Sequence, residues 1–285
     1  SVAMEIKSGI ESNPMMGHQI ELEKLYNKNQ LLRRVKREFT DQKEVDLYAF
    51  MKARGIDPDF GYDLLVQLVL HKRTTLPTMV GILRHHIKEG ASLQPIADMI
   101  LKCCEHDLCD WNPMTNQLVV RADITKEVQE ELDRYQFPLP MVVEPRKLRD
   151  NLDSAYISMN DGSVILRDNH HDDDVCLDHL NRVNKIQFTL DNDTANMIRN
   201  RWRNLDKPKT GESKQDFERR KRAFEKYDRT AKIVMSQITK LGNCFWLTHK
   251  IDKRGRTYCQ GYHCNYQGSP WNKAVIMLAD KEVVP

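Results

Sequence analysis

The sequence predicts a mainly helical protein of the α+β class, and three patterns support that prediction. Between residues 46 and 110, apolar residues recur at the three- and four-residue spacing of buried helix faces. A second stripe of this kind extends from about Lys214 to Leu241, which is long enough for a helix of several turns. The apolar run Val275–Ala279 predicts a β-strand. We therefore expect helical regions followed by the first strands of an α+β region.

The composition excludes several classes of protein. Of the 285 residues, 40% are hydrophobic and 30% are charged, which permits a real core and indicates a soluble protein. No apolar run approaches the roughly 20 residues that a membrane span needs. Seven cysteines, an odd number without a secretory signal pattern, favour a reducing, cytosolic compartment. The net charge of +3 does not by itself indicate a nucleic-acid partner, but the basic residues are clustered.

Residues 1–150 are predicted to form a helical N-terminal domain. Its first 45 residues suggest one or two helices, whose basic cluster at 33–37 is more simply explained as a solvated face than as a nucleic-acid patch. Further helices are expected after Pro77 and after Ser92, a good N-cap residue. The prolines of the segment 138–145 cannot continue a helix, so this segment is expected to be extended.

Residues 151–180 are predicted to form a connecting hairpin and a loop. The turn residues Asn160, Asp161 and Gly162 lie between two short β-type runs, at 156–159 and 163–166, which is a hairpin pattern. A run of histidines and aspartates follows in the loop.

Three groups of residues have the composition of a metal site. They are Cys103, Cys104, His106 and Cys109; His170, His171, Asp172, Asp173 and Asp174, with Cys176, Asp178 and His179 nearby; and Cys259, His263 and Cys264. Structural zinc sites usually contain two ligand pairs with a long spacer, and no second cysteine pair matches the first group. Core packing explains the first group, and acids at a solvated helix start explain the second. We therefore expect no metal in this chain. A metal-dependent hydrolase built on 170–174 is an alternative that elemental analysis would decide.

Residues 181–241 are predicted to form a helical hairpin with a basic face. The first helix is expected over 180–202 with a break near 191–193, and the second is the long helix that begins near Lys214. The exposed side of the second helix carries Arg219, Arg220, Lys221, Arg222, Lys226, Arg229, Lys232 and Lys240. Such a face can contact phosphates without reading sequence. The alternative is a basic surface that only keeps the protein in solution.

The most informative motif is Asp252-Lys-Arg-Gly-Arg256, which is followed by the aromatic Tyr258. Arginine is always charged and offers planar paired donors that suit phosphates and base edges. Gly255 allows a tight turn or close approach to a ligand, and Asp252 is expected to pair with one guanidinium so that the other stays available. The motif contains no nucleophile with a base and no metal cage, so it indicates that the loop binds a polyanion.

The stretch around this motif, residues 245–279, resembles the DxxGR element of the single-subunit, phage-type RNA polymerases. Asp252, Gly255 and Arg256 occupy the motif positions, and the similarity continues into the apolar strand Val275–Ala279. In that family the element lies where the thumb meets the palm, and it contacts the template strand and the RNA–DNA hybrid. The resemblance implies that 181–241 is the thumb and that 242–285 begins the palm. The segment 138–145 is similar to the family's PMxxPP-type segment, although Glu144 precedes the second proline.

The resemblance also implies a set of nucleic-acid-binding residues. They are Asp252, Lys253, Arg254, Gly255, Arg256, Tyr258, Asn265, Gln267 and Lys273, with Lys226, Arg229 and Lys232 on the thumb. In this interpretation Arg254 and Arg256 contact the nucleic-acid backbone or the hybrid, and Asp252 orients them. The family match places the cysteines and histidine at 259–264 on a strand-and-loop surface without metal.

Catalytic residues are not implied for this chain. Phage-type polymerases hold two Mg²⁺ ions with two palm aspartates, and these motifs lie beyond the DxxGR element. Since the sequence stops at Pro285, the resemblance implies a second polypeptide with the fingers and the catalytic palm. Such a split resembles the heterodimeric RNA polymerase of N4-like bacteriophages. That likeness implies template DNA and nascent RNA as further partners, the cytoplasm of an infected bacterial host as the location, and a phage single-stranded-DNA-binding factor as a plausible helper.

Besides the hydrolase alternative, two functions are weighed. The first is a polymerase subunit whose strand at 275–279 needs a partner strand, because an exposed apolar edge promotes aggregation. The second is a non-enzymatic, polymerase-derived nucleic-acid-binding regulator, which should be stable alone.

Overall fold

The computed structural model describes residues 13–121, 123–159, 162–197 and 207–279. The chain divides into two units. One unit comprises residues 27–136, and the other, the discontinuous unit, combines residues 1–26 with residues 137–285. None of the described helices has the length and apolar character that crossing a bilayer requires.

The described helices have 6 to 27 residues, and the described strands have two to four. The helices are α1 Met15–Tyr26, α2 Lys28–Thr40, α3 Leu47–Ala53, α4 Pro58–His71, α5 Leu76–Leu83, α6 Gln94–Glu105, α7 Lys126–Tyr135, α8 Leu177–Asn184, α9 Asn192–Met197, α10 Lys214–Lys240 and α11 Pro270–Val275, with a 3₁₀ turn at Arg84–His86. The strands are β1 Arg73–Thr75, β2 Cys109–Asn112, β3 Gln117–Val120, β4 Gln187–Leu190, β5 Phe245–Trp246, β6 His249–Ile251, β7 Thr257–Cys259 and β8 Ile276–Leu278. Helices with small antiparallel sheets confirm the predicted mainly α, α+β class.

Helix α4 forms the centre of the 27–136 unit. Its first turn is stabilised by Asp57, whose side chain accepts a hydrogen bond from the amide of Asp59, and by a proline at the first helical position. Leu64, Leu65 and Leu68 are almost fully buried, and α4 packs against α2, α3 and α5. A three-stranded antiparallel sheet with the order β1-β3-β2 completes this unit.

The described residues of the discontinuous unit form two sheets. In the first, β4 lies between β5 and β8, and all pairings are antiparallel. Phe188 and Leu190 of β4 are buried together with Phe245 of β5 and Ile276 of β8. The second sheet is the two-stranded β6–β7 ribbon. A further apolar cluster forms around Leu148, Ala155, Val164 and Leu180.

Helix α1 is attached to the rest of the discontinuous unit by its buried polar side chains Gln19 and Glu23. Glu23 is 2% exposed, and its carboxylate accepts hydrogen bonds from Gln19 Nε2 (2.9 Å) and from both the amide and the hydroxyl of Ser158 (2.9 and 3.0 Å). Gln19 Oε1 in turn accepts from the amide of Val142 (2.8 Å). Because a buried carboxylate without partners is costly, these bonds fix the position of α1 against the segment that follows residue 137.

The secondary structure agrees with the sequence prediction for the long helix and differs elsewhere. Helix α10 covers the predicted range almost completely. In contrast, residues 187–190 form β4 where helix was predicted, because their alternating burial fits a strand between two partners. The strand predicted at Val275–Ala279 is limited to β8, since Val275 ends α11.

The hairpin predicted within 151–180 is not formed by the described residues of that segment. Asn160 and Asp161, its predicted turn, lie outside the described residues, as do residues 198–202 at the end of the first predicted thumb helix. Ile165 instead makes an isolated parallel bridge to Ile251 of β6. The functional division into residues 1–150, 151–180, 181–241 and 242–285 stays a prediction.

Candidate nucleic-acid interface

The loop at 252–256 connects the antiparallel strands β6 and β7. Two backbone hydrogen bonds close it, from Asp252 N to Arg256 O (3.0 Å) and from Gly255 N to Asp252 O (3.1 Å). Gly255 has φ +83°, a backbone conformation that residues with a side chain rarely adopt, although an added Cβ would meet no atom within 4 Å. The glycine is therefore required by the turn itself, and the space around it stays open.

The carboxylate of Asp252 orders the backbone of this loop. Its Oδ1 accepts hydrogen bonds from the amides of Arg254 and Arg256, both at 2.9 Å, and its Oδ2 accepts from the hydroxyl of Tyr258 at 3.1 Å. Partial desolvation acts to raise the pKa of Asp252, but these hydrogen bonds outweigh it and hold the pKa below its ordinary value. This differs from the expected pairing with a guanidinium, because the oxygens are used by the loop backbone and by Tyr258.

The cationic side chains of the loop face solvent. Lys253, Arg254 and Arg256 are exposed, and no described carboxylate lies within ion-pair distance of any of them. Tyr258, on β7, is 39% exposed beside them. Three positive charges next to an aromatic ring can bind phosphates and stack on a sugar or base.

The segment before α8 supports the loop from one side. Ile251 exchanges backbone hydrogen bonds with Val164 and Leu166, at 2.9 Å each. Asn169 Oδ1 accepts from the amide of Lys253 (2.8 Å), and His171 Nε2 lies 2.8 Å from the carbonyl oxygen of Asp252, to which it donates. These contacts fix both arms of the turn without using the charged side chains.

The histidine–aspartate run therefore has a structural role at one position. His171 supports the loop, whereas His170 pairs with Asp172 at 2.8 Å and both of those side chains are largely exposed. His179, on α8, lies 3.1 Å from the hydroxyl of Thr257 on β7. The run does not gather its side chains around one centre.

Gln267 and Asn265 support the loop from the opposite side. Gln267 Oε1 accepts from the amide of Cys259 (2.8 Å), and its Nε2 donates to the carbonyl of Thr257 (3.2 Å). The side-chain amide thus makes two hydrogen bonds with the backbone of β7. Asn265 Nδ2 donates to the carbonyls of Cys259 (3.2 Å) and Gly261 (2.7 Å). Both amides are engaged within the protein, and direct contact of either with nucleic acid stays a prediction.

Helix α10 is attached to the same region through Tyr227. Its hydroxyl donates to the carbonyl of Tyr262 (2.9 Å) and accepts from Asn272 Nδ2 of α11 (3.1 Å). The ring of Tyr262 stacks on Phe137, with centroids 3.8 Å apart. The chain after β7 therefore contacts α10 through Tyr227 and packs against Phe137, and Tyr227 also links α10 to α11.

The predicted thumb residues lie on α10. Arg229 and Lys232 are exposed and Lys226 is half-buried; Lys232 forms an ion pair with Asp228 at 2.9 Å. The buried face of the helix, which includes Ala231, Val234 and Ile238, accounts for its attachment to the core. Lys273 is exposed on α11.

A cavity of about 210 Å³ adjoins β6. Its polar lining includes Tyr156, Asn184, Thr248, His249, Lys250 and Gln260.

Burial lowers the pKa of Lys250, and burial together with the nearby His179 lowers the pKa of His249 to about 4. Asn184 Oδ1 lies 2.8 Å from His249 Nδ1, while Asn184 Nδ2 is buried without a hydrogen-bond partner in the structure.

Sequence reasoning missed the residues that support the loop. Asn169 and His171 lie 84 and 81 positions before their partners in the loop, Lys253 and Asp252, and Asn184 lies 65 positions before His249. No local pattern connects such distant positions. The alternation of β6, where His249 and Ile251 are buried, is a local signal that could have placed His249 inside.

The comparisons with known proteins indicate a likeness to an RNA polymerase. No family model matches the chain. A protein of Agaricus bitorquis described as a probable DNA-directed RNA polymerase is 27% identical over 170 residues, which cover 51% of this chain and 15% of that protein. The match supports a relation to RNA polymerases. The chain thus spans a small part of the relative that it matches.

Proposed function

We propose that this chain is a subunit of a split, phage-type DNA-directed RNA polymerase, in which it grips template DNA and the RNA–DNA hybrid. The observation that carries the proposal is the loop at 252–256. Its three cationic side chains are exposed, while the carboxylate of Asp252, Asn169 and His171 hold its backbone. The partial likeness to a probable RNA polymerase supports the same direction.

The contacts of this grip are electrostatic and independent of base sequence. Arg254 and Arg256 bind phosphates of the hybrid or the template, because each offers paired donors on a turn whose backbone is already ordered. Lys226, Arg229 and Lys232 of α10 add contacts to phosphates further along. Lys273 is a further charge partner for the nucleic acid.

The nucleotidyl-transfer chemistry belongs, in this proposal, to a partner subunit with the fingers and the catalytic palm. Among the described residues, the group of three potential metal ligands is Asp63, His85 and His86, and two imidazoles do not suit Mg²⁺, which prefers oxygen ligands. That group therefore does not fit a two-magnesium site. We assign the Mg²⁺-binding aspartates to the partner.

The β8 edge of the β5-β4-β8 sheet is consistent with a partner chain that adds a strand there. Strand β8 pairs with β4 on one side, and no described strand pairs with its other side. Leu278, at the end of β8, is 56% exposed. An apolar strand edge of this kind pairs readily with a strand from another polypeptide.

The deciding experiment is RNA synthesis by the chain reconstituted with the polymerase subunit that copurifies with it. Arg256→Ala is expected to leave assembly intact and to lower RNA synthesis at least about tenfold, since one charge-assisted contact is worth roughly 1.5–3 kcal/mol. Arg121→Ala, which removes an exposed arginine of the 27–136 unit, is the matched control and should be active. Normal synthesis by the Arg256→Ala complex would contradict the proposal.

The basic face of α10 also favours a second candidate, a polymerase-derived regulator that binds nucleic acid without catalysis. The two candidates differ in their dependence on a partner. A split subunit should be poorly soluble until the partner is present and should copurify with it in a fixed ratio. A regulator should be stable alone and bind an RNA–DNA hybrid tightly in that state.

A further inference from the structure

Three potential metal ligands converge in the 27–136 unit, away from the loop at 252–256 in sequence. Asp63 lies on α4, and His85 and His86 form the 3₁₀ turn that follows α5. Asp63 Oδ2 is 2.7 Å from His86 Nε2 and 3.5 Å from His85 Nε2. One carboxylate oxygen therefore faces the same nitrogen of two imidazoles.

A hydrogen bond to the backbone determines which ring nitrogen of His85 carries the proton. His85 Nδ1 lies 3.2 Å from the carbonyl oxygen of Ile82. Because a carbonyl oxygen can only accept, Nδ1 carries a proton, and a neutral ring then presents the lone pair of Nε2 toward Asp63. Two acceptors facing each other need a cation between them, which is either a second proton on the ring or a metal ion.

The surroundings hold the ligand atoms in place. His86 is 15% exposed at its side chain, and its ring packs edge-on against Phe60 of α4 with centroids 5.2 Å apart. Lys36 Nζ lies 3.8 Å from Asp63 Oδ1, so that the other oxygen, Oδ2, stays directed at both imidazoles. The hydrogen bond from His85 to Ile82 is of the kind that fixes ring orientation in metal sites.

We propose that Asp63, His85 and His86 form a binding site for a divalent transition metal of the zinc class. The ligands are Asp63 Oδ2 and the Nε2 atoms of both histidines, and a solvent molecule takes the position left open, because His85 is 61% exposed. Two imidazoles with one carboxylate favour Zn²⁺, Co²⁺ or Ni²⁺ over Mg²⁺ and Ca²⁺.

The distances suit such an ion with a small adjustment. Ligands about 2.0–2.2 Å from a tetrahedral ion are roughly 3.3–3.5 Å from each other, and the Asp63–His85 pair is at 3.5 Å. The Asp63–His86 pair, now at 2.7 Å, must widen by about 0.6–0.8 Å to reach that separation, which a rotation of the imidazole provides. The ion joins α4 to the 3₁₀ turn and so restrains the end of α5.

The proposed site differs from the sequence-based expectation that this chain holds no metal. None of the three candidate groups named from the sequence contains these residues, since Asp63 lies 22 positions before His85 and only the fold brings them together. The inference does not depend on the proposed polymerase function, because it uses residues of the 27–136 unit alone.

The test is a titration of the purified, chelator-treated full chain with Co²⁺, followed by visible absorption, with Zn²⁺ as the competitor. One Co²⁺ should bind with the spectrum of nitrogen and oxygen ligands, without thiolate-to-cobalt charge transfer, and Zn²⁺ should displace it. His85→Ala is the first variant, because this exposed side chain can be removed without opening the core, and it should weaken Co²⁺ binding at least about tenfold. Asp63→Asn should weaken binding to a similar extent.

Two controls separate this site from others. His170→Ala removes an exposed histidine that pairs with an aspartate, and Cys104→Ala removes a thiol that lies 3.2 Å from Cys109 Sγ; both variants should bind Co²⁺ like the unaltered chain. Unchanged affinity in His85→Ala, a thiolate spectrum that Cys104→Ala abolishes, or no Co²⁺ binding at all would each overturn the proposal. The last result would mean that a proton, not a metal, lies between His85 and Asp63.

Discussion

The carboxylate of Asp252 is hydrogen bonded to the hydroxyl of Tyr258, at 3.1 Å, and its other oxygen receives the amides of Arg254 and Arg256. The aspartate thus shapes the loop and leaves both guanidinium groups available to a ligand. An acid within a cationic loop would weaken anion binding if charge alone mattered. Its hydrogen bonds explain its presence, because they order the backbone that presents the arginines.

Replacing Asp252 separates the effect of its negative charge from the effect of its hydrogen bonds. Asp252→Ala is expected to weaken binding of an RNA–DNA hybrid by about tenfold, because the loop loses three hydrogen bonds to a charged acceptor. Asp252→Asn keeps an acceptor for both amides and removes the negative charge, so its affinity should equal or exceed that of the unaltered chain. Fluorescence anisotropy with a labelled hybrid measures both.

A control variant is available on the other unit. Asp110→Ala removes an exposed carboxylate that pairs with Arg121, and hybrid binding should not change. If the Ala and Asn variants of Asp252 bind equally well, the hydrogen bonds do not order the loop for binding.

Helix α10 predicts a particular salt dependence. Neutralising two of its cations with the double variant Lys226→Gln and Arg229→Gln should make the plot of log affinity against log salt shallower by between one and two, since each phosphate contact contributes about 0.9 to the slope. The decrease should be the same for hybrids of different sequence.

The matched comparison uses two exposed lysines of the 27–136 unit. The double variant Lys43→Gln and Lys126→Gln removes the same charge from side chains that the structure leaves exposed. An equal loss of slope in both double variants would mean that net charge, and not the face of α10, determines binding.

The fold could be predicted from sequence where the signal is local. Apolar spacing identified α10 because a long helix with one buried face needs only its own periodicity. The same reasoning failed at β4, whose four residues become a strand because β5 and β8 supply hydrogen bonds on both sides. Short strands depend on partners that are distant in sequence, and such partners leave no local pattern.

In the candidate site, too, only the features with a local sequence signal could be predicted. The glycine of the loop was identified correctly as a turn residue, and its φ of +83° confirms that interpretation. The support given by Asn169 and His171 could not be foreseen, because it depends on a segment about 80 residues earlier that lies beside β6. The sequence therefore located the loop that presents charge, and the fold revealed what holds it.

Gly261 tests how tightly the turn after β7 is packed. A Cβ at this glycine would lie 1.8 Å from the carbonyl oxygen of Cys264, which is backbone and cannot move aside freely. Gly261→Ala should therefore lower the free energy of unfolding by about 2 kcal/mol or more. Denaturant unfolding followed by circular dichroism gives the value.

A second glycine in the same unit provides the comparison. Gly17 lies within α1, and a Cβ there would meet no atom within 4 Å. Gly17→Ala should leave stability unchanged or raise it by up to about 1 kcal/mol, because alanine favours helix. Equal stability of the two alanine variants would show that the turn at 261–264 relaxes without cost.

The buried histidine of β6 predicts how stability depends on pH. His249 is 2% exposed, and its two ring nitrogens lie 2.8 Å from Asn184 Oδ1 and 2.7 Å from the hydroxyl of Tyr266. Burial, with a contribution from the charge of His179, lowers its pKa to about 4. The ordinary pKa of about 6.5 applies in the unfolded chain.

The sign follows from which state binds the proton first. As pH falls below about 6.5 the unfolded chain protonates this histidine while the folded protein keeps it neutral, so the free energy of unfolding decreases until the pH reaches about 4. Between pH 7 and pH 5 the loss from this residue should be about 2 kcal/mol. Urea unfolding at the two values measures it. His249→Gln should remove that part of the pH dependence, whereas His170→Gln, at an exposed position, should retain it. A pH profile that is the same for both variants would mean that His249 takes up its proton in the folded state as readily as in the unfolded chain.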